Sequence, residues 1–273
     1  MAPPFPISAD VREWLRDLFA GCNARLANTL SRVPTIHEVP LDMTFIQYFL
    51  SVSTPQRFES GWTVEFQTHY LGGGRHFAEW DDWPRRWEIA DIGFLLMFRR
   101  GGKLVRSKVA LLQSKRLYPV EQEIDEETPL DYMRGFGRLF HTDNDWADIT
   151  ESRRFDFTTD SRYQALTTGT QQYDAIAAYE QQRGIPVHYM SYNPLNVPST
   201  AYIPLTGGSD ANGTCEVGCR IVPAAQLRRA LASEPAGRSP SYGQLLSSLG
   251  PPFQPSTHPA GWRLEHFCHR TSA

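Results

Sequence analysis

Residues 89–119 read IADIGFLLMFRRGGKLVRSKVALLQSKRLYP, and this stretch decides the fold. It contains two apolar runs with Gly101 and Gly102 between them. Adjacent glycines accept the positive φ angles of a tight turn, so the stretch predicts a hairpin of two antiparallel strands. A turn centred on these glycines places Asp91 opposite a residue near 112. One extra residue in the loop would bring Gln113 opposite Asp91 instead.

Asp91 is the one acid in the apolar run 89–98. A carboxylate in such a strand is costly to bury unless it is paired, protonated or bound to a metal. Gln113 and Lys115 lie two positions apart on the second strand, so their side chains share a face. The hairpin therefore predicts an acid, an amide and a lysine together at one end.

These three side chains suit magnesium-dependent chemistry on a phosphate. Mg²⁺ binds few protein oxygens and keeps several waters that a phosphate can displace. Asp91 would be a ligand, and Gln113 would offer a neutral carbonyl oxygen, which is a weaker ligand than a glutamate. Lys115 would orient or activate the attacking water and offset the developing charge.

The sequence on either side of the hairpin predicts an α/β domain. Helical spacing of apolar residues predicts helices over 9–20, 40–51 and 170–183, with Asp10 as a cap of the first and Gly184 at the C-cap of the last. Alternating residues predict strands around 64–68 and 187–194. The order helix, three strands, helix, strand is typical of a mixed sheet with helices on both faces.

Asp91, followed on the next strand by Gln113-Ser114-Lys115, resembles the signature of the PD-(D/E)xK nuclease superfamily, which has the restriction-endonuclease-like fold. The Mrr-like QxK variant is the closest form. The resemblance covers about residues 36–195 and implies an αβββαβ core. It departs from the family pattern at Ala90, where the family has proline.

The resemblance also implies roles for the matching residues. Asp91 would bind the metal, Gln113 would occupy the second ligand position, and Lys115 would be the catalytic lysine. The family often adds an acid from the helix before the first core strand. Glu38 and Asp42 are the candidates, and at i and i+4 they would share a helix face; Asp42 lies more securely inside the predicted helix. The implied cofactor is Mg²⁺, with Mn²⁺ as a substitute.

The resemblance further implies an endonuclease that hydrolyses phosphodiester bonds of nucleic acid in bacterial restriction or anti-phage defence, with DNA as the expected substrate and RNA as the alternative. A homodimer or a protein partner would supply target recognition or activation. The alternative is a catalytically inert nucleic-acid-binding or assembly subunit on the same fold. We expect a nuclease domain with N-terminal helices over residues 1–204, and a Gly/Pro-rich C-terminal extension over 205–273 packed on it.

The charge balance is close to neutral because two opposite segments cancel. The chain has 273 residues with 27 Lys+Arg against 30 Asp+Glu, a net charge of −3. Residues 99–116 hold seven Lys/Arg and no acid, whereas residues 117–131 hold six Asp/Glu and no base. The total charge therefore neither opposes nor supports a nucleic-acid partner.

The basic stretch predicts contacts with a phosphate backbone, although a solvated hairpin tip would have the same composition. The candidates for nucleic-acid binding are Arg116, Lys108, Arg106 and, on the helix next to the motif, Tyr173. No apolar run approaches the ~20 residues that span a bilayer, and the first residues lack the pattern of a secretory signal. We therefore expect a soluble, cytoplasmic protein that does not contact a membrane.

Overall fold

The structure of the protein is a computed structural model that describes residues 7–73, 88–120, 153–203, 217–249 and 262–265, so most of the acidic segment 117–131 lies outside the described residues. The helices are α1 (Ala9–Arg32), α2 (Glu38–Leu50), α3 (Gln171–Arg183), α4 (Ala224–Ala230) and α5 (Tyr242–Ser248). The strands are β1 (Gln56–Arg57), β2 (Trp62–Tyr70), β3 (Ile92–Arg100), β4 (Lys103–Arg116), β5 (Arg153–Phe157), β6 (Val187–Tyr192), β7 (Ser199–Ile203), β8 (Arg220–Pro223) and β9 (Trp262–Arg263).

The predicted hairpin is present as β3 and β4. Its turn is made by Gly101 and Gly102, whose φ angles are +56° and +79°. A two-residue turn with positive φ at both positions matches the twist of the flanking strands, and glycine adopts it without the strain that a Cβ would bring.

A β-bulge near this turn sets the register of the hairpin. Beyond the bulge, Ile92 faces Leu112. The next position outward therefore sets Asp91 beside Gln113. The predicted shift of one residue is confirmed, although the extra residue lies within β4 rather than in the turn. The bulge thus aligns the two polar residues at the far end of the hairpin.

The hairpin is part of a mixed sheet. Strands β2, β3 and β4 form an antiparallel meander, and β6 then pairs with β4 in parallel. A parallel pair needs a long crossover connection, and α3 lies in it. Within the described ranges, the central sheet has seven strands in the order β1-β2-β3-β4-β6-β8-β9, and β5 pairs with β7 separately. The predicted class, an α/β fold with a mixed sheet, is confirmed.

Helices flank both faces of this sheet, as two neighbouring residues of β4 show. The Ser114 hydroxyl contacts Asp42 of α2. The adjacent Gln113 accepts a hydrogen bond from Gln172 of α3. Because successive side chains of a strand point to opposite faces, α2 and α3 lie on opposite sides of β4.

Aromatic packing joins α1 and α2 to the hairpin. The Phe94 ring centroid lies 5.3 Å from that of Phe49 and 5.4 Å from that of Phe66. Phe19 of α1 and Phe45 of α2 also contact Phe94. Burial of these rings is the main stabilising contribution on this side of the sheet.

Helix α1 extends beyond the predicted range of 9–20 because its inward-facing apolar residues continue through Cys22, Leu26 and Leu30. Asp10 is not its cap. The N-cap is Ser8, and the Asp10 carboxylate accepts hydrogen bonds from Val11 N and from the Ser60 hydroxyl. In the described part of the chain, no helix combines the length and the apolar character that crossing a bilayer requires.

The described part of 205–273 contributes strands to the sheet itself. β8 pairs with β6, and β9 pairs with β8. Buried Asn23 of α1 links both additions, because its Oδ1 accepts from Cys219 N at 2.7 Å and its Nδ2 donates to Glu265 at 3.2 Å. This region therefore completes the sheet rather than only packing against it, and the predicted boundary at 204 stays a prediction.

Replacing Phe94 by alanine tests the aromatic core. Phe94→Ala removes a buried ring in contact with four others, so we expect the free energy of unfolding to fall by about 3–5 kcal/mol. Val109 lies on β4 with 59% of its surface exposed, so Val109→Ala should change it by less than about 0.5 kcal/mol. Urea unfolding monitored by circular dichroism measures both, and equal effects would contradict this account of the core.

Candidate active site

Backbone hydrogen bonds hold Asp91 between two strands. Its N–H donates to Leu112 O at 2.9 Å, and its carbonyl accepts from Leu71 N at 2.7 Å and from Gly72 N at 3.2 Å. Asp91 was predicted inside the strand, but β3 begins one residue later, at Ile92. Its position at the end of the ladder keeps the carboxylate half-buried rather than inside the core.

The Asp91 carboxylate receives three hydrogen bonds on one oxygen. Its Oδ2 accepts from Gln113 Nε2 at 2.5 Å, from Ser114 N at 2.7 Å and from Ser114 Oγ at 3.0 Å. Asp91 and Gln113 are therefore brought together, as the hairpin register predicted. These bonds leave Oδ1 as the oxygen that can bind a cation.

The amide of Gln113 is oriented by α3. Its Oε1 accepts from Gln172 Nε2 at 3.4 Å, and the same Gln172 nitrogen lies 3.4 Å from the Glu88 carbonyl. The nitrogen of Gln113, not its oxygen, consequently faces Asp91. A half-turn of the amide would exchange the two atoms and present the oxygen on the Asp91 side.

Lys115 and Glu38 lie near each other at the same end of the hairpin. Lys115 is buried and lies two residues after Gln113 on β4. Glu38 opens α2, and its Oε1 accepts from Arg116 N at 2.9 Å. Burial raises the pKa of Glu38, and the positive charge of Lys115 opposes that rise. The lysine therefore favours the ionised form of this half-buried carboxylate.

Asp42 lies deeper than Glu38. Only 1% of its surface is exposed. Its Oδ1 accepts from the Tyr192 hydroxyl at 2.7 Å, and its Oδ2 lies 3.0 Å from Ser114 Oγ. Burial, together with the negative charge of Asp91, raises its pKa to about 8. With a hydroxyl beside each of its oxygens, Asp42 is less suited than Glu38 to bind a cation; the sequence had left the choice between the two acids open.

The oxygen donors at this end of the hairpin fit a hard divalent cation. Asp91 Oδ1 and Glu38 supply carboxylate oxygens, whereas Gln113 would supply its amide oxygen only after the half-turn, because Oε1 accepts from Gln172. Mg²⁺ is commonly held by one or two carboxylates with waters in its remaining positions. Zinc prefers nitrogen and sulfur ligands and is a poor match. Among the described residues, no group of three or more His, Cys, Asp or Glu is arranged to hold a metal ion by itself.

Arg116 does not have its predicted role in nucleic-acid binding. Only 2% of its surface is exposed. Its Nη2 donates to Pro34 O at 2.5 Å, its Nη1 donates to Ile36 O, and its guanidinium lies 4.0 Å from the centre of the Tyr118 ring. These bonds attach the connection between α1 and α2 to the end of β4, and they keep the guanidinium away from a phosphate.

The other predicted nucleic-acid contacts lie on β4 far from Lys115, or on α3 next to Gln172. Arg106 and Lys108 are half-buried on β4, on the Ser114 face rather than the Lys115 face. At 3.3 Å per residue they lie about 23–30 Å from Lys115 along the strand. Tyr173 is half-buried next to Gln172 in the first turn of α3. Its pKa is raised by burial.

The sequence did not assign roles to several residues that the structure brings to this site. Ser114 and Tyr192 bond to the acids, and Gln172 bonds to Gln113. Tyr70 lies near the acids as well, since burial and the charges of Asp42, Asp91 and Glu88 raise its pKa. The position of Ser114 between Gln113 and Lys115 was the available signal, whereas Tyr70 and Tyr192 end strands far away in the chain.

No family model, no curated protein and no solved structure matches this chain.

The buried acid Asp42 predicts a pH-dependent difference in stability. A carboxyl whose pKa is about 8 in the folded protein and near 4 when unfolded binds more protons when folded, so stability falls as pH rises through that window. Asp42→Asn removes this titration while keeping an acceptor for Tyr192 and a donor for Ser114. Relative to the native protein, Asp42→Asn should therefore become progressively more stable from about pH 5 to about pH 8.

Urea unfolding in a chelating buffer at several pH values measures this difference. The negative charges that act on Asp42 are those of Asp91 and Glu38, and both stay in the variant. Exposed Asp17 serves as the control, because Asp17→Asn should follow the native protein across the same pH range. A constant difference between Asp42→Asn and the native protein would contradict the buried, proton-binding role of Asp42.

Proposed function

We propose that the protein is a metal-dependent nuclease that hydrolyses phosphodiester bonds of DNA. The observation that carries this proposal is the convergence of Asp91, Gln113, Lys115 and the helix acid Glu38 at one end of the hairpin. An acid, a second oxygen donor and a lysine are the groups that a magnesium-assisted phosphodiesterase needs.

The order of the elements supports the same proposal. The described residues between Glu38 and Tyr192 form α2, β2, β3, β4, α3 and β6, with short β1 and β5 added. This order agrees with the αβββαβ core that the PD-(D/E)xK resemblance implies. The site residues come from α2, from the start of β3 and from the end of β4, next to the parallel strand β6.

The side chains have distinct roles in the proposed reaction. Mg²⁺ bound by these oxygens would polarise the phosphate and make a coordinated water more acidic. Asp91 Oδ1 and Glu38 would hold the cation, and Gln113 would be the neutral third donor after a half-turn of its amide. Lys115 orients the attacking water and offsets the charge that develops on the phosphate oxygens.

The biological setting rests on the resemblance. It is bacterial restriction or anti-phage defence in the cytoplasm, with DNA as the proposed substrate and RNA as the alternative. A homodimer or a protein partner would provide recognition or activation. The alternative is an inert nucleic-acid-binding or assembly subunit. One observation favours the alternative: Gln113 is neutral and turns its nitrogen, not its oxygen, towards Asp91.

Cleavage of plasmid DNA tests the assignment. With Mg²⁺ or Mn²⁺ we expect the native protein to cut, and we expect Asp91→Ala and Lys115→Ala to lower the rate by about 100-fold or more. Exposed Asp17→Asn and Arg229→Ala serve as charge-matched controls that should cut at the native rate. Gel electrophoresis over time measures each rate.

Two outcomes would contradict the proposal in different ways. Cleavage that survives both substitutions would place the site elsewhere. DNA binding without cleavage under any metal condition would favour the inert subunit.

Gln113→Glu tests whether the amide occupies a ligand position. The change removes the donor to Asp91 and sets two carboxylates side by side, so without metal the free energy of unfolding should fall by about 1–3 kcal/mol. Mn²⁺ should then stabilise the variant more than the native protein, because it neutralises the pair. Thermal unfolding with and without Mn²⁺ measures this.

Gln47→Glu on the exposed face of α2 is the matched control and should show no added response to Mn²⁺. An equal Mn²⁺ response in Gln113→Glu and the native protein would remove Gln113 from the ligand set.

A further inference from the structure

The hydroxyl of Ser114 stands between two acids. Its Oγ lies 3.0 Å from Asp42 Oδ2 and 3.0 Å from Asp91 Oδ2. A serine hydroxyl has one hydrogen to donate, and an ionised carboxylate can only accept. Both contacts can therefore be hydrogen bonds only if one of the two acids carries a proton and donates it to Ser114.

The surroundings of the two acids decide where that proton lies. Asp91 Oδ2 already accepts two N–H donors, Gln113 Nε2 and Ser114 N. A proton on that oxygen would point at donors, so Asp91 is the ionised partner. Among the described residues, Ser114 is the hydrogen-bonding partner of Asp42 Oδ2, while Oδ1 accepts from Tyr192. The geometry thus leaves Asp42 Oδ2 as the protonated atom.

We propose that Asp42 is a neutral carboxylic acid that donates to Ser114, which in turn donates to Asp91, and that this chain of hydrogen bonds positions the Asp91 carboxylate. The role of Asp91 in binding a cation rests on the proposed function, whereas the proton on Asp42 does not. Asp42 and Ser114 are positioning residues, and Asp42 is not a ligand.

The direction of these hydrogen bonds determines which oxygen of Asp91 they hold. Tyr192 donates to Asp42 Oδ1, Asp42 Oδ2–H donates to Ser114, and Ser114 donates to Asp91 Oδ2. Three donors then hold one Asp91 oxygen and leave Oδ1 to the cation. Burial beside Asp91 and Glu38, which raises the pKa of Asp42, agrees with this assignment.

The proton on Asp42 also lowers the negative charge around Asp91. An ionised Asp42 would add a third negative charge beside Asp91 and Glu38, in a position that solvent does not reach. A neutral Asp42 keeps the local charge at two carboxylates, with Lys115 beside Glu38. The neutral acid thus holds Asp91 in place without repelling its charge.

Infrared spectroscopy of the metal-free protein near neutral pH tests the proton directly. A protonated carboxylic acid has a C=O stretch separate from the bands of ionised carboxylates. We expect this band in the native protein, its loss in Asp42→Asn, and its persistence in Asp17→Asn. A native spectrum from which Asp42→Asn removes no such band would overturn the proposal, whatever the protein does to DNA.

Two substitutions at position 42 separate a positioning acid from a metal ligand. Asparagine can donate its Nδ2–H to Ser114 and accept from Tyr192 through Oδ1, so Asp42→Asn should keep the native Mn²⁺ affinity, measured by calorimetry, and the native cleavage rate, both within about 3-fold. Asp42→Ala breaks the chain of hydrogen bonds, and we expect a loss of about 10-fold or more in both the Mn²⁺ affinity and the cleavage rate. An Asp42→Asn variant that loses Mn²⁺ binding as fully as Asp42→Ala would overturn the proposal.

Ser114→Ala provides a second variant with little change in volume. It removes the donor to Asp91 and leaves Asp42 intact, so Mn²⁺ binding should weaken by about 10-fold. Native Mn²⁺ affinity in Ser114→Ala would overturn the positioning role. If the infrared band and these Mn²⁺ affinities behave as expected but no variant, the native protein included, cuts DNA, then the proton assignment stands and the nuclease proposal fails.

Discussion

The register of the β3–β4 hairpin is the constraint on which the site depends. Ladder hydrogen bonds run without interruption from the bulge to Ile92 and Leu112, so one extra residue in β4 determines which residue stands beside Asp91. A strand has a side-chain period of two, and a slip of one residue would exchange Gln113 for a residue that points to the other face. Positioning of the polar residues is thus decided near the turn, at the opposite end of the hairpin.

Electrostatics explains the arrangement around Asp91. Three acids lie together with partial or complete burial. The charge of Asp91 opposes ionisation of both Glu38 and Asp42, and the charge of Glu38 also opposes ionisation of Asp42. Each acid is stabilised in a different way. N–H and hydroxyl groups donate hydrogen bonds to Asp91, the positive charge of Lys115 acts on Glu38, and Asp42 carries a proton. A divalent cation at Asp91 Oδ1 and Glu38 would neutralise the remaining charge.

Some residues of the site could be predicted from the sequence, and others could not. Asp91 and Gln113 could be paired from the two glycines and the strand period alone, because a hairpin is a local structure. Lys115 followed from its spacing to Gln113. The choice between Glu38 and Asp42 could not be made, because it depends on how far α2 stands from β4, and helix periodicity does not contain that distance.

Arg116 shows that a basic residue in a basic stretch of sequence need not lie on the surface of the folded protein. The basic residues Arg106, Lys108 and Lys115 precede it on the same strand. Its guanidinium nevertheless lies in the interior, where it donates to the carbonyls of Pro34 and Ile36. Buried guanidinium groups need several acceptors, and these came from a connection some 80 residues earlier in the chain. No local pattern indicates such a partner.

The sequence by itself determined the class of fold and three local features: the hairpin and its turn, the helix that ends at Gly184, and the pairing of an acid with an amide. These depend on side-chain periodicity and on glycine conformations, which act over a few residues. Only the tertiary structure decided which acids are buried, that Ser114 stands between two of them, and that the C-terminal region completes the sheet. Burial and shared protons depend on atoms brought together from α2, β3, β4 and β6, and the distances between these elements are set by packing.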